Sequence, residues 1–276
     1  MIAGDMRDRL RTTLDRAYLE YDERYLDRDP LQYARAFREP ADREVVGFVA
    51  AALAYGNVAQ IRRSIRVVLE ALGPRPARAL ERFDAGRMAL RLEGFKHRFN
   101  DGRDVACLLR FVARMRRTHG SVESFFAPGH AADAPDVGAA LTSFAARSLA
   151  LDHGGLYGDG PLPARAGVRF FFSSPADGSA CKRLNLFLRW MVRREGVDLG
   201  VWRAVEPRAL VIPLDAHVHA IARRVRLTSY RSPGWPMALD ITKRLRRLDP
   251  LDPVKYDFAL FCMGLTRQDA QIRSLA

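Results

Sequence analysis

The residues with the clearest chemical potential are a lysine and an aspartate, each at the predicted start of a helix. Lys182 follows a Pro/Gly turn at 174–179, and Asp215 follows the short extended apolar run 210–214. An amine can attack carbon as a nucleophile, and a carboxylate can stabilise positive charge that develops on a sugar. The pair therefore fits cleavage of an N-glycosidic bond, with strand cleavage by β-elimination through a Schiff base.

Lysine is rare in this chain. Only four of the 45 basic residues are lysine, at positions 96, 182, 243 and 255. Arginine stays protonated and cannot form a Schiff base, whereas a desolvated lysine can lose its proton and attack carbon. The positive end of a helix and the neighbouring Arg183 both disfavour an ammonium at Lys182. Lys182 is therefore a candidate nucleophile, and the alternative is that it binds a phosphate at the same helix start.

Asp215 begins the sequence Asp-Ala-His-Val-His, which allows three interpretations. Its carboxylate can cap the helix and do nothing more, or it can stabilise a transition state. It could also bind a metal with His217 and His219 if the segment were a strand, where alternate side chains share a face. The surrounding pattern favours a helix, so we expect no metal and place His217 near the site or against DNA.

The positive charge is concentrated around these two residues. The chain has a formal net charge of +13, and residues 182–247 hold 15 Lys and Arg against 5 Asp and Glu, a difference of +10. Such a concentrated cationic field indicates a polyanionic partner, through neutralisation of phosphates and release of counterions. A solvated basic surface without a partner is the alternative.

Composition excludes several other classes of protein. No uncharged apolar stretch is long enough to span a membrane, and residues 1–10 lack the continuous apolar segment of a secretory signal. Three scattered cysteines exclude a four-cysteine cluster within the chain and are typical of the reducing cytoplasm. We therefore expect a cytoplasmic, nucleoid-associated protein that acts as a monomer.

Hydrophobic periodicity predicts helices along the whole chain, without a strand series, a βαβ rhythm or an internal repeat. The sequence therefore predicts an all-α fold. The predicted helices span residues 5–26, 42–56, 57–73, 101–118, 137–149, 182–194, 198–206, 215–226 and 233–248, and a last helix follows the cap Asp252-Pro253. The Gly/Pro-rich segment 151–167 is the best candidate for an inter-lobe or substrate-facing loop.

Lys182 and Asp215, the latter within Ile-Pro-Leu-Asp-Ala-His-Val-His-Ala-Ile-Ala-Arg-Arg, resemble the helix-hairpin-helix–GPD superfamily of DNA glycosylases. In that superfamily a lysine opens the second hairpin helix and an aspartate begins a later one. The separation of 33 residues is similar to that in the archaeal 8-oxoguanine glycosylase branch. The C-terminal half, notably residues 182–193, also resembles an uncharacterised bacterial family of unknown function.

The resemblance implies a two-lobed helical fold with a variant helix-hairpin-helix and double-stranded DNA bound between the lobes. The whole chain, 1–276, would form one unit, with a helical lobe at 40–150, a hairpin and catalytic lobe at 168–276, and residues 1–39 packed across both. Its activity would be excision of a damaged base, such as an oxidised purine, with AP-lyase activity through Lys182 and with Asp215 as stabiliser and proton acceptor. A monovalent cation at the hairpin turn is the one cofactor that it suggests.

For such a protein we expect DNA contacts and a base pocket from a defined set of residues. The expected DNA contacts are Ser174, Gly178, Ser179, Arg183, Arg189, His217 and Arg223. The aromatic residues Phe172, Trp190 and Trp202 could line the base pocket, with packing in the core as the alternative.

The sequence also departs from the superfamily pattern. The usual Leu-Pro-Gly-x-Gly hairpin is replaced by Ser-Pro-Ala-Asp-Gly-Ser, and the four-cysteine iron–sulfur loop of some members is absent. Two rival functions therefore stay open. One is a non-catalytic DNA- or RNA-binding module on the same fold, and the other is a metal-dependent phosphohydrolase that uses Asp215, His217 and His219.

Overall fold

The computed structural model describes residues 2–266, and within them it confirms the all-α fold. The α-helices are α1 (Ile2–Glu20), α2 (Leu31–Arg35), α3 (Pro40–Ala52), α4 (Val58–Leu72), α5 (Pro76–Ala79), α6 (Ala85–Arg91), α7 (Gly102–His119), α8 (Val122–Phe126), α9 (Gly138–Leu149), α10 (Lys182–Val192), α11 (Ala216–Arg224), α12 (Trp235–Arg246) and α13 (Asp257–Thr266). The two-residue strands β1 (Lys96–His97) and β2 (Asn100–Asp101) pair antiparallel. Short 3₁₀ helices lie at Glu23–Arg28, Ala127–Gly129, Gly167–Phe171, Pro175–Asp177 and Pro207–Ala209.

The centre of the fold is the contact between α3 and α10. Residues 183–192 are buried without interruption, as expected of a helix that is apolar on most of its circumference. Gly47 of α3 allows the close approach, because a Cβ atom there would lie 2.7 Å from the Cε atom of Met191. This packing fixes α10, and with it the position of Lys182 in the first helical turn.

Local capping fixes the elements that surround this pair. The Asn57 side chain accepts a hydrogen bond from the Gln60 backbone and begins α4, as the sequence predicted. Asp101 and Asp104 form a capping box at the start of α7. At the other end of the chain, the Tyr256 hydroxyl donates to the Asp15 carboxylate across 2.6 Å and ties the region before α13 to α1.

Two local predictions in the C-terminal half were wrong. Residues 198–206 form no helix, because Asp198 is drawn inward to buried arginines and the backbone N–H groups of Leu199, Gly200 and Trp202 donate to carbonyls at the end of α10. Asp252 does not cap the last helix, since its carboxylate pairs with Arg193 instead and α13 begins at Asp257.

The first predicted helix also breaks earlier than expected. It ends at Glu20 and is followed by a 3₁₀ helix that Asp22 caps. The segment before the 174–179 turn is likewise a 3₁₀ helix rather than the first α-helix of a regular hairpin.

The described apolar side chains pack into one contiguous core that extends from Leu14 to Met263. The division into lobes at 40–150 and 168–276 stays a prediction. None of the described helices combines the length and the apolar character needed to cross a membrane.

Candidate functional site

The structure brings Lys182 and Asp215 together. The Lys182 Nζ atom lies 3.9 Å from Asp215 Oδ2, and it donates a hydrogen bond of 3.4 Å to the carbonyl oxygen of Ala54. Asp215 is the N-cap of α11, where its Oδ1 atom accepts from the backbone N–H of Val218 across 2.8 Å. One carboxylate oxygen therefore holds the helix in place while the other faces the lysine.

The pair lies in a cavity of about 580 Å³. Its walls come from the segment 28–30, the connection between α3 and α4, the inward side of α10, the segment 213–219 and one face of α13 from its first turn to its last. The residues that line it include Asp29, Tyr55, Leu186, Arg189, His217, His219, Pro233, Asp257 and Phe261. A cavity of this size can hold a nucleobase or a sugar.

The cavity wall holds as many basic as acidic side chains although the protein as a whole is strongly basic, and the basic ones are Arg28, Lys182 and Arg189. Besides Asp215, it contains the buried Asp29 and Asp257. Burial raises the pKa of Asp257 to about 7, an effect that Arg189 opposes and the charge of Asp215 reinforces. Burial also raises the pKa of Asp29, again against the pull of Arg189. Of these three carboxyl groups, Asp215 forms an ion pair with Lys182.

The turn expected to contact DNA is bonded largely to itself. The Ser174 hydroxyl oxygen accepts from the Ala176 backbone, and the Ser179 hydroxyl oxygen accepts from the Cys181 backbone. Gly178 is exposed and left-handed, with φ of 73°, and its carbonyl oxygen accepts from the backbone of Trp235. Because these backbone groups are already paired, a phosphate would have to bind through the serine hydroxyl protons or through the remaining N–H groups.

The same turn fits a monovalent cation poorly. Its carbonyl oxygens at Ser174, Pro175 and Gly178 each accept a hydrogen bond from a backbone N–H, and the Cys181 thiol, with one proton, lies 3.3 Å from the carbonyl oxygens of both Ser173 and Ser179. A cation needs several free oxygens that converge on one point. We therefore derive no step from a cation at this turn.

Arg183 and Arg189, both expected to contact DNA, are buried. Arg183 donates to the Phe170 carbonyl oxygen and lies 3.6 Å from the centroid of the Phe170 ring, and burial lowers its pKa to about 10. Arg189 is 1% exposed and pairs with Asp198 and Asp257. Arg189 lines the cavity, but its Nε and Nη1 atoms are taken by these carboxylates, so in this conformation both arginines hold the fold.

The two other expected DNA contacts have different surroundings. Arg223 is exposed near the end of α11. His217 is half-buried in the cavity wall, with its ring 5.9 Å from that of Phe261, and a Cβ atom at Gly264 would lie 2.7 Å from the Cβ atom of His217. His217 is therefore packed in place and faces the site, while Arg223 is free to meet a partner.

The three aromatic residues considered for a base pocket lie in the core. Phe172, Trp190 and Trp202 are each at most 2% exposed, and none of them lines the cavity. The Trp202 indole donates to the buried carboxylate of Glu44 across 2.9 Å, which satisfies its polar group. Packing in the core, the alternative considered for them, is what the structure shows.

His217 and His219 lie two residues apart on a helix, so their side chains do not converge. The His219 Nε2 atom is 3.3 Å from the carbonyl oxygen of Arg231. Between residues 2 and 266, no group of three or more His, Cys, Asp or Glu side chains is placed to hold a metal ion.

The sequence did not single out several residues that line the cavity. Asp29 lies outside the predicted helices, and Tyr55 and Asp257 lie within predicted helices without a role at the site. Their positions depend on packing between distant elements, and no local motif marks them. The signal available was weak: Asp257 lies five residues after a Pro-flanked cap in an otherwise apolar segment.

Comparison with known proteins gives a family without a function. No curated protein and no solved structure matches the chain. Residues 29–266 match the family model described as "Protein of unknown function (DUF2400)". Since this match covers the cavity and most of the chain, the protein belongs to the DUF2400 family.

Proposed function

We propose that the protein is a DNA N-glycosylase with AP-lyase activity. It would bind double-stranded DNA as a monomer and take a damaged base, such as an oxidised purine, out of the stack for excision. In this proposal the fold is a variant of the helix-hairpin-helix–GPD architecture, with DNA between the lobes. The resemblance of the segments around Lys182 and Asp215 suggests this class of reaction.

The observation that carries the proposal is the position of Lys182 in a cavity beside the carboxylate of Asp215, with 3.9 Å between Nζ and Oδ2. Loss of a base from deoxyribose builds positive charge on the sugar, and nearby carboxylates stabilise that charge. A phosphate bound at Lys182 would instead lie beside the Asp215 carboxylate, whose negative charge disfavours an anion. The site therefore suits a cationic transition state better than the phosphate contact of a non-catalytic binding module.

The proposed reaction uses the two residues as follows. Asp215 takes a proton from Lys182, the neutral amine bonds to C1′ of the sugar as the bond between C1′ and the base breaks, and the departing base takes up that proton from Asp215. The nitrogen then loses a proton to Asp215, and the C1′–O4′ bond opens as Asp215 passes this proton to O4′, which leaves a protonated Schiff base and a hydroxyl at C4′. Removal of a proton from C2′ expels the 3′ phosphate and cleaves the strand.

Borohydride trapping tests this proposal directly. A panel of duplexes that carry oxidised purines or an abasic site is incubated with the protein, and borohydride reduces any Schiff base to a stable adduct. We expect an adduct with the parent protein, none with Lys182→Ala or Lys182→Arg, and an undiminished one with Lys243→Ala, which removes an exposed lysine. Absence of an adduct on every duplex, or an undiminished adduct in Lys182→Ala, rules out the lyase.

The same panel separates the rival functions. A binding module predicts steeply salt-dependent binding and no cleavage, with Lys182→Arg close to the parent. A metal-dependent phosphohydrolase predicts cleavage that a strong chelator abolishes. The glycosylase predicts that Lys182→Arg binds without cleaving, and that cleavage by the parent survives the chelator.

A further inference from the structure

Two aromatic side chains are exposed on the described surface, and both lie beside the cavity. Phe99 is 54% exposed and Tyr230 is 47% exposed. The Phe99 ring packs 5.5 Å from the ring of Tyr55, which lines the cavity, and Tyr230 lies three residues before Pro233, which also lines it. The carbonyl oxygen of Arg231, next to Tyr230, lies 3.3 Å from the ring of His219 in the same wall. The Phe99 ring is therefore one side chain away from the cavity, and the backbone next to Tyr230 contacts a residue of the cavity wall.

Phe99 is held rigidly in its exposed position. It lies in the two-residue turn between β1 and β2, where His97 pairs with Asn100. The Phe99 ring packs edge to face against the Phe170 ring, with 4.4 Å between the two ring centroids and an angle of 85° between the ring planes. The Tyr55 hydroxyl lies within hydrogen-bond distance of the carbonyl oxygen of His97 and of Oδ1 of Asn100, and these contacts fix the base of the hairpin. A ring that is already immobilised loses little conformational entropy when a partner stacks on it.

The turn itself has an unusual backbone. Arg98 adopts a positive φ of 55°, a conformation that turns normally reserve for Gly, Asn or Asp. Gly56 makes room for the Arg98 side chain, since a Cβ atom there would lie 3.1 Å from Arg98 Cδ. Strained backbone of this kind concentrates at sites that bind a ligand.

The charge around the two rings selects the partner. The segment 95–100 contains Lys96 and Arg98, with Asp101 opposite Lys96 in the strand pair, and the segment 226–235 contains Arg226 and Arg231 and no acidic residue. All four cations belong to residues that are exposed. Flat rings between cations are the features that bind an opened nucleic-acid strand, since the rings stack on bases and the cations neutralise phosphates.

We propose that Phe99 and Tyr230 are stacking platforms for unpaired DNA bases at the rim of the cavity. They would fill the space that opens in the duplex beside a nucleotide whose sugar lies over Lys182. This inference rests on the proposed function in placing DNA at the cavity, and it requires no cleavage.

The test measures binding rather than catalysis. The probe is a duplex with a tetrahydrofuran abasic analogue, which cannot form a Schiff base, flanked by the fluorescent base 2-aminopurine. Affinity and 2-aminopurine emission are measured for the parent, Phe99→Ala, Tyr230→Ala and the control Leu90→Ala, which removes a 73% exposed leucine outside the cavity wall. Thermal unfolding of each variant checks that it is folded.

We expect Phe99→Ala and Tyr230→Ala each to weaken binding roughly 5- to 100-fold, the value of stacking one base on an aromatic ring. Leu90→Ala should bind as the parent does. Phe99→Trp should keep both affinity and emission change, whereas Phe99→Leu, which keeps the apolar contact with Phe170 and Tyr55, should bind as weakly as Phe99→Ala. This pair of variants still tests the proposal if the alanine variant does not fold.

Parent-like binding by Phe99→Leu and Tyr230→Ala overturns the proposal, and so does a parent protein that does not bind the probe. Binding that depends on the two rings, together with no borohydride adduct on any duplex, leaves the stacking platforms in place and removes the glycosylase.

Discussion

The cations at the two ends of α10 differ in burial and in the strength of their ion pairs. At its C-terminal end, Arg189 and Arg193 are buried and form a closed network with Asp198, Asp252 and Asp257. At its N-terminal end, the side chain of Lys182 is 35% exposed and meets its nearest ion-pair partner at 3.9 Å. One helix therefore carries a locked structural network and a loosely held amine that faces a cavity.

The difference follows from the chemistry of the two residue types. Although burial alone would lower it, the carboxylates of Asp198 and Asp257 hold the pKa of Arg189 above its ordinary value, so this residue is a permanent cation that needs permanent partners. A lysine that must attack carbon instead needs a weak ion pair, which it can break when it loses its proton and reacts. At this one helix, the chain therefore has arginine where the cation is locked into ion pairs and one of its few lysines where the cation is loosely held.

The largest expected effect breaks the network. Arg189→Met leaves the buried Asp257 without its ion-pair partner and Asp198 with Arg193 alone, and should lower the free energy of unfolding by about 3–5 kcal/mol. Urea unfolding of the variant against the parent measures this loss. Arg223→Met, which removes an exposed arginine from α11, should change stability little. Equal effects of the two substitutions would show that the network does not stabilise the fold.

The next prediction separates the two roles of Asp215. Asparagine caps a helix as well as aspartate does, so Asp215→Asn should leave stability unchanged while it removes the charge beside Lys182. Single-turnover cleavage should slow by about 10²–10³-fold, the usual cost of a lost electrostatic stabiliser. Asp215→Ala should lose the cap as well, about 1 kcal/mol of stability. Normal cleavage in Asp215→Asn would assign the residue to capping alone.

Asp257 pairs with Arg189 in the buried network and also lines the cavity that contains Lys182. Its pKa, raised to about 7 chiefly by burial, compares with about 3.9 in an unfolded chain. Between these values the folded protein holds the extra proton, so the contribution of Asp257 to stability is present below pH of about 4 and is lost as the pH rises through about 7. Relative to Asp257→Asn, the parent should lose stability between pH of about 4 and 7 in urea unfolding. A constant difference would contradict the raised pKa.

The smallest expected effect concerns the loosely held amine. Because Lys182 is partly exposed and its ion pair is long, Lys182→Ala should change the free energy of unfolding by less than about 1 kcal/mol. Chemical denaturation measures this directly. A loss as large as that of Arg189→Met would place Lys182 in the structural network and remove the contrast between the two ends of α10.

Part of the fold could be predicted because its causes are local. Asn57 and Asp101 begin helices through caps that are visible in the sequence, and the apolar run after Lys182 indicates a buried helix. The prediction was wrong where a tertiary contact competed with a local rule. Asp252 has the sequence context of a cap, yet a buried arginine 59 residues away takes its carboxylate.

The candidate site divides in the same way. Residue types and helix starts were enough to select Lys182 and Asp215. The buried state of Arg183, Trp190 and Trp202 depends on which face of each helix meets the core, and a uniformly apolar segment does not reveal that face. The expected DNA contacts and base pocket therefore included residues that the structure uses for packing.

By itself, the sequence determined the helical class, the concentration of positive charge and the lysine–aspartate pair, since composition, periodicity and capping act over a few residues. Tertiary structure alone decided that this pair shares a cavity with Asp29 and Asp257, and that Phe99 and Tyr230 stay exposed beside it. Those residues come from elements far apart in the chain, and only the packing of α3, α10, α11 and α13 brings them to one place.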